Sequence, residues 1–124
     1  MCGITGFLGS FQPSLLTAMT NALAHRGPDD HGYYHEESHG IGLGHRRLSV
    51  VDLSPTGHQP MTSYNSLVHL VYNGELYNFQ ALRSELVDQG YRFRGTSDTE
   101  VLLNLYLRDG TDMLPKLDGI FAFA

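Results

Sequence analysis

The order in which apolar spacing switches between strand-like and helix-like rhythm constrains this chain more than any other feature. A strand-like run opens it, Cys2-Gly3-Ile4-Thr5-Gly6-Phe7-Leu8, and stops at Gly9-Ser10. A helix is predicted next: Pro13 suits a first turn, and Leu15, Leu16, Met19 and Leu23 recur at helical spacing. It ends before His25-Arg26-Gly27-Pro28, where glycine and proline break the pattern. Tyr33-Tyr34 and Ile41-Gly42-Leu43 are predicted strands around a polar turn near Glu36 and Ser38, and another short strand is predicted over residues 48–53. Ser54-Pro55-Thr56-Gly57 is a predicted loop. Residues 66–72 are rich in strand formers, and Asn73-Gly74 is expected to close that strand as a turn.

The second half carries two clearer helix signals. Asn78 is placed to cap a helix whose apolar face is Phe79, Leu82 and Leu86, with Gly90 just past its end. Ser97-Asp98-Thr99-Glu100 has the spacing of a capping box ahead of Val101, Leu102, Leu105 and Tyr106. A short helix is predicted over residues 113–117 and a strand at Ile120-Phe121-Ala122-Phe123-Ala124. Strands and helices are mixed without a steady βαβ alternation, so the expected class is α+β. A sequence that stops inside an apolar strand is expected to be part of a longer chain.

Composition narrows the function. The formal net charge is −5, from 8 basic and 13 acidic residues, which argues against nucleic acid and against an anionic membrane surface as partners. No apolar run is long enough to span a bilayer, and no secretory leader is expected from the opening residues. A single cysteine excludes an internal disulfide framework. The expected setting is cytoplasmic, with a free thiol.

Four signals bear on chemistry, and each has a plainer reading. Cys2 alone reads as a small buried hydrophobe. Once Met1 is removed, its α-amine, with an ordinary pKa of roughly 7.7–8.0, becomes a base beside the thiol. Asn73-Gly74 reads as a turn, or as an amide and a backbone N–H aimed at one developing oxyanion. Arg47, opening the apolar run that follows, reads as a solvated edge residue, or as a fork for a carboxylate. Asp98 reads as a helix-start carboxylate, or as the partner of an ammonium.

Three other patterns carry no function. Gly40-Ile41-Gly42-Leu43-Gly44 lacks the helix that a phosphate-binding glycine loop needs. His31, His35 and His39 fall in strand and turn, so they share no helical face for a metal. Asp29-Asp30 after Pro28 is turn chemistry.

Taken in order, the motifs carry more. Met1-Cys2-Gly3-Ile4, His25-Arg26-Gly27-Pro28-Asp29, Gly44-His45-Arg46-Arg47-Leu48-Ser49 and Gly57-His58-Gln59-Pro60-Met61 are followed by Tyr72-Asn73-Gly74-Glu75-Leu76-Tyr77-Asn78 and Ser97-Asp98-Thr99-Glu100. The set resembles the glutaminase domain of class II glutamine amidotransferases, which are N-terminal-nucleophile hydrolases. Within them it is most similar to the glutamine-dependent asparagine synthetase branch.

The resemblance covers residues 1–124 and implies a four-layer αββα sandwich, here its incomplete N-terminal part. It implies hydrolysis of glutamine, with Cys2 as nucleophile and its α-amine as general base. Asn73 and Gly74 would form the oxyanion hole. Arg47 would hold the α-carboxylate, and Asp98 with Glu75 the α-ammonium. Leu48, Ser49, Val50 and Val51 would line the pocket, partly through backbone groups. No metal or cofactor is implied for this segment. ATP and Mg²⁺ are implied for a C-terminal synthetase domain that would receive the ammonia in cis and act on aspartate. The resemblance also leaves room for a homodimer, for a different ammonia acceptor in polysaccharide or natural-product pathways, and for a non-catalytic glutamine-binding remnant.

Overall fold

In a computed structural model the described residues are 1–50 and 54–124. Among the described residues seven strands and three α-helices alternate irregularly, as the α+β expectation requires. The first sheet holds β1 (Gly3–Leu8), β2 (Asp30–Glu36) and β3 (Ile41–Arg47) in the order β1-β3-β2, all antiparallel. Helix α1 (Pro13–Ala22) packs on it against β1 and β3.

The pleat explains how α1 comes so close. Alternate residues of β3 face opposite sides. A Cβ on Gly44 would lie 2.1 Å from the Thr20 hydroxyl of α1, so that face of β3 is stripped of side chain where the helix crosses. Thr5 of β1, directly opposite Gly44, bonds the same Thr20 hydroxyl at 2.9 Å. Within the glycine-rich run at 40–44, Gly44 therefore serves helix–sheet packing, while Gly42 makes room for the Phe7 ring. Leu43, His45 and Arg47 point the other way, away from α1.

That opposite face meets the second half of the chain. β4 (Met61–Thr62) and β5 (His69–Leu70) form a small ribbon, and β6 (Tyr72–Leu76) pairs antiparallel with β7 (Gly119–Phe123). β1 contacts β6, and β3 reaches β6 through the His45 ring, which lies 3.1 Å from the Tyr72 carbonyl. Behind β6 lie α2 (Phe79–Asp88) and α3 (Asp98–Asp109). Tyr72, Leu76, Leu82, Leu86, Val101 and Leu105 form one core there. Leu86 and Leu105 are fully buried, each contributing roughly 1.5–3 kcal/mol. Helix, sheet, sheet and helices thus stack in that order among the described residues.

Local chemistry sets the boundaries. Ser97 Oγ accepts the Glu100 N–H, as the capping spacing predicts. The Glu100 carboxylate does not return to Ser97. It accepts from the Arg94 and Gly95 N–H groups at 2.8 and 2.9 Å, tying down the approach to α3. Asn78 stands at the start of α2 without a capping bond. Its amide donates to the Lys116 carbonyl and accepts the Asp118 N–H, stitching that helix to the chain entering β7. Gly90, at φ +90°, closes α2 as expected. The predicted short helix near residue 113 is a 3-10 helix, Gly110–Lys116.

Two expectations are corrected. Leu48, Ser49 and Val50 are not a strand. β3 stops at Arg47 because the next backbone donors turn to side chains: Leu48 N–H to Cys2 Sγ at 3.3 Å, and Ser49 N–H to Asp29 Oδ2 at 2.8 Å. The rest of that predicted strand, residues 51–53, lies outside the described residues. Asn73-Gly74 is not a turn but the middle of β6, opposite Ala122 and Phe121.

Candidate active site

Cys2 and Arg47 come together through the register of the first sheet. Gly3 pairs with Arg46, and both lie on the α1 side of the sheet. The preceding and following positions, Cys2 and Arg47, therefore turn to the inner side. The Cys2 sulfur sits on the Leu48 peptide, accepting its N–H and lying 3.6 Å from its carbonyl. The Cys2 carbonyl accepts from Arg26 Nε at 3.0 Å. Asp29 and Arg26, either side of Gly27-Pro28, thus hold the end of β3 and the start of β1. Gly27 has to be glycine here, because a Cβ would lie 2.5 Å from the Arg46 carbonyl carbon.

Arg47 is buried, 8% exposed. Its Nη1 donates to the Ser54 carbonyl at 2.9 Å. A Cβ on Gly57 would fall 2.1 Å from its Nη2, so the glycine leaves the place that the guanidinium fills.

The second wall is the open edge of β6. Val71 exchanges both backbone bonds with Ala124, and Tyr77 N–H reaches the Asp118 carbonyl. Odd-numbered residues of this strand therefore bond to β7, and even-numbered N–H groups point out of the other edge. The structure bears this out at both ends. Tyr72 N–H goes to Gln59 Oε1 at 2.7 Å, and Leu76 N–H goes to Asp98 Oδ2 at 3.1 Å. Gly74 lies between them, so its N–H points out of the same edge. Its missing side chain is needed as well: a Cβ would lie 2.4 Å from the Ile120 carbonyl of β7. Asn73 and Glu75 face away from the α2–α3 core that holds Tyr72 and Leu76. Asn73 Oδ1 is buried without a hydrogen-bond partner among the described residues.

Asp98 begins α3 at 7% exposure, with Oδ2 taking both the Leu76 N–H and the Tyr72 phenol, the latter at 2.8 Å. Burial, with Asp98 beside it, pushes the Tyr72 phenol far above its ordinary value, so it remains a donor. Burial likewise pushes His45 down to about 4. The ring is neutral near pH 7, and Nε2, facing a carbonyl, is the protonated nitrogen.

These walls enclose a cavity of about 360 Å³. Met1, Cys2, Arg47, Leu48, Val50, Asn73, Gly74, Glu75 and Asp98 all line it. Of the other site residues expected from sequence, Ser49 is not in the lining, and Val51 lies outside the described residues. Gln59, Tyr72 and Thr99 line it without having been singled out from the sequence. Gln59 and Tyr72 do stand inside the quoted motif blocks, at 57–61 and 72–78, which was the one signal available for them.

Comparison with known proteins bears on the family of this chain. A family model described as a glutamine amidotransferase domain matches residues 1–124. Asparagine synthetase [glutamine-hydrolyzing] 3 of Bacillus subtilis (strain 168) is 46% identical over 132 residues, covering 100% of this chain and 21% of the relative. Asparagine synthetase B [glutamine-hydrolyzing] of Escherichia coli (strain K12) is 44% identical over 106 residues, 86% of this chain and 18% of the relative. Amidase chry2 of Gibberella zeae is 39% identical over 137 residues, 99% of this chain and 20% of the relative. The chain thus spans about a fifth of the length of these curated relatives.

Among solved structures, the glutamine phosphoribosylpyrophosphate amidotransferase from B. subtilis superposes with a TM-score of 0.80 at 25% identity, over 97% of this chain and 34% of that one. That likeness bears out the N-terminal-nucleophile hydrolase fold expected from the sequence. With its family model matched from end to end, the chain belongs to the glutamine amidotransferase domain family.

Proposed function

We propose that this domain hydrolyses the side-chain amide of glutamine, with Cys2 as the nucleophile. The observation that carries the reading is the convergence of Cys2, Arg47, Asn73, Gly74 and Asp98 on one cavity of about 360 Å³. Removal of Met1, which is 72% exposed beside Cys2, frees the α-amine of Cys2 as the base.

That amine takes the thiol proton, and the sulfur attacks the amide carbon of glutamine. The oxyanion that forms is held by the Asn73 side-chain amide, on the cavity face of β6, and by the Gly74 N–H, at its open edge. The α-amine returns the proton to the leaving nitrogen, ammonia departs, and a thioester remains. Water attacks the thioester carbon, glutamate leaves and the thiol is restored. Arg47 receives the α-carboxylate as a fork, with its plane steadied by the Ser54 carbonyl. Asp98 and Glu75 receive the α-ammonium, and Leu48 and Val50 form the apolar side of the pocket.

The acceptor of the ammonia belongs to the same proposal. A synthetase region following in cis, activating aspartate with ATP and Mg²⁺, is supported by the glutamine-hydrolysing asparagine synthetases among the relatives, which are about five times longer. The amidases among the relatives favour a second reading, another acceptor behind the same glutaminase step. A cytoplasmic setting fits a nucleophile that must stay reduced.

The test is glutamate release from glutamine by the full-length, Met1-processed protein. Cys2→Ala is expected to abolish it. Undiminished release by that variant would end the mechanism.

A further inference from the structure

Three polar side chains converge on Tyr72, the residue directly before Asn73, and none of them caps a helix or extends a strand ladder. Gln59 takes its N–H at 2.7 Å, His45 donates to its carbonyl at 3.1 Å, and Asp98 accepts its phenol at 2.8 Å. All four residues are buried, with Tyr72 3%, Gln59 5%, His45 0% and Asp98 7% exposed. Any residue at position 72 would present the same main-chain N–H and carbonyl, but burying a phenol against a carboxylate is a cost specific to tyrosine, and an apolar side chain would fill the same core without it.

The main-chain bonds do what a neighbouring strand would do. They fix the Tyr72 peptide groups on the open edge of β6, and so fix the orientation of the Asn73-Gly74 step that follows. The phenol acts on Asp98. Among the described residues both bonds to that carboxylate fall on Oδ2. Its rotation is thereby set, and Oδ1 is the oxygen left to meet a ligand in the cavity that Tyr72 and Asp98 both line.

We infer that Tyr72 is a positioning residue that couples the two recognition elements of this wall. Its clamped main chain aims the oxyanion donors, and its phenol aims Asp98 at the α-ammonium, making Tyr72 a determinant of selectivity for an α-amino substrate. The inference rests on the glutamine reading above and adds to it the residue that makes the site demand an amino acid.

The experiment uses the full-length protein in a Cys2→Ala background, which holds substrate without turning it over. Binding of glutamine is measured by calorimetry against 4-carbamoylbutanoate, which is glutamine without its α-amino group. Tyr72→Phe removes only the phenol oxygen. It is expected to weaken glutamine about tenfold, the size of one lost hydrogen bond to a charged group, and the analogue less than about twofold. An equal loss on both ligands, or no loss on glutamine, overturns the coupling. If the Cys2→Ala parent binds neither ligand, the glutamine reading itself has failed, a result separate from lost selectivity in a parent that binds.

The main-chain half has its own readout in active protein. Gln59→Met keeps the volume and removes the acceptor for Tyr72 N–H. It is expected to lower kcat for glutamine about tenfold while KM stays within about twofold. A change confined to KM overturns this half.

Discussion

The two walls of the cavity are built differently. On the first, Cys2 and Arg47 sit where regular structure ends, and their reactive ends meet irregular backbone: the thiol at Leu48, the guanidinium at the Ser54 carbonyl. On the second, Asn73 and Gly74 lie in the middle of a paired strand, and the backbone groups flanking Gly74 on its open edge are taken by Gln59, His45 and Asp98. In the proposed mechanism the first wall has to let a nucleophile attack and a thioester form and break. The second has to present fixed dipoles to a charge that appears only in the transition state, and such dipoles are effective when they need no reorganisation.

The comparison predicts different consequences for damage on each side. The largest effect belongs to the braced wall. Asn73→Ala removes the proposed oxyanion donor from a paired strand and is expected to lower kcat for glutamine by about 10²–10³ with little change in KM. A rise in KM with kcat intact would place Asn73 in ground-state binding and erase the distinction.

Acid should loosen the same wall next. An unfolded chain protonates His45 below about 6.5, but the buried ring in the folded protein accepts a proton only near 4. Between those values the unfolded state holds more protons, so stability is full above the upper value and falls as pH drops towards the lower. The loss approaches about 3 kcal/mol for this one group. Asp30, Arg47 and His58 are the charged or titratable groups acting on the ring. Hydrogen exchange of the β3 and β6 amides in the full-length protein would read the change. His45→Gln, which keeps a donor for the Tyr72 carbonyl, should flatten that acid dependence, and an unchanged slope would contradict the role of the buried imidazole.

On the first wall a smaller, purely binding effect is expected. Gly57→Ala pushes a methyl group into the place of Arg47 Nη2, and the flexible end of the arginine moves aside. KM for glutamine should rise about tenfold with kcat within about twofold. If kcat falls instead, this wall is as rigid as the other. The smallest effect is structural. Ser97→Ala removes the cap that starts α3 and is expected to cost about 1 kcal/mol, measured by denaturant unfolding.

Much of this was legible in the sequence where a signal was local. Pro13, Ser97 and Gly90 marked helix ends because capping and backbone preference act over a few residues. The misreadings share a different cause. Asn73-Gly74 has the composition of a turn, but its partner β7 lies far along the chain, and pairing with it overrides the local preference. The predicted strand after Arg47 fails because Cys2 and Asp29, distant in sequence, capture the Leu48 and Ser49 donors. The roles of Gln59 and Tyr72 are hidden in the sequence for the same reason: they lie in bonds spanning 13 and 26 positions that no local pattern encodes. The catalytic constellation was recognisable only as a set of ordered motifs, since each member alone has a commoner structural role.

The most direct test of the two-wall account is a crystal structure of the full-length, Cys2→Ala protein with glutamine bound. The account predicts the amide oxygen about 3 Å from both Asn73 Nδ2 and the Gly74 nitrogen, with the α-carboxylate on Arg47 and the α-ammonium on Asp98 Oδ1. Glutamine bound in the reverse sense, or outside this cavity, would contradict it.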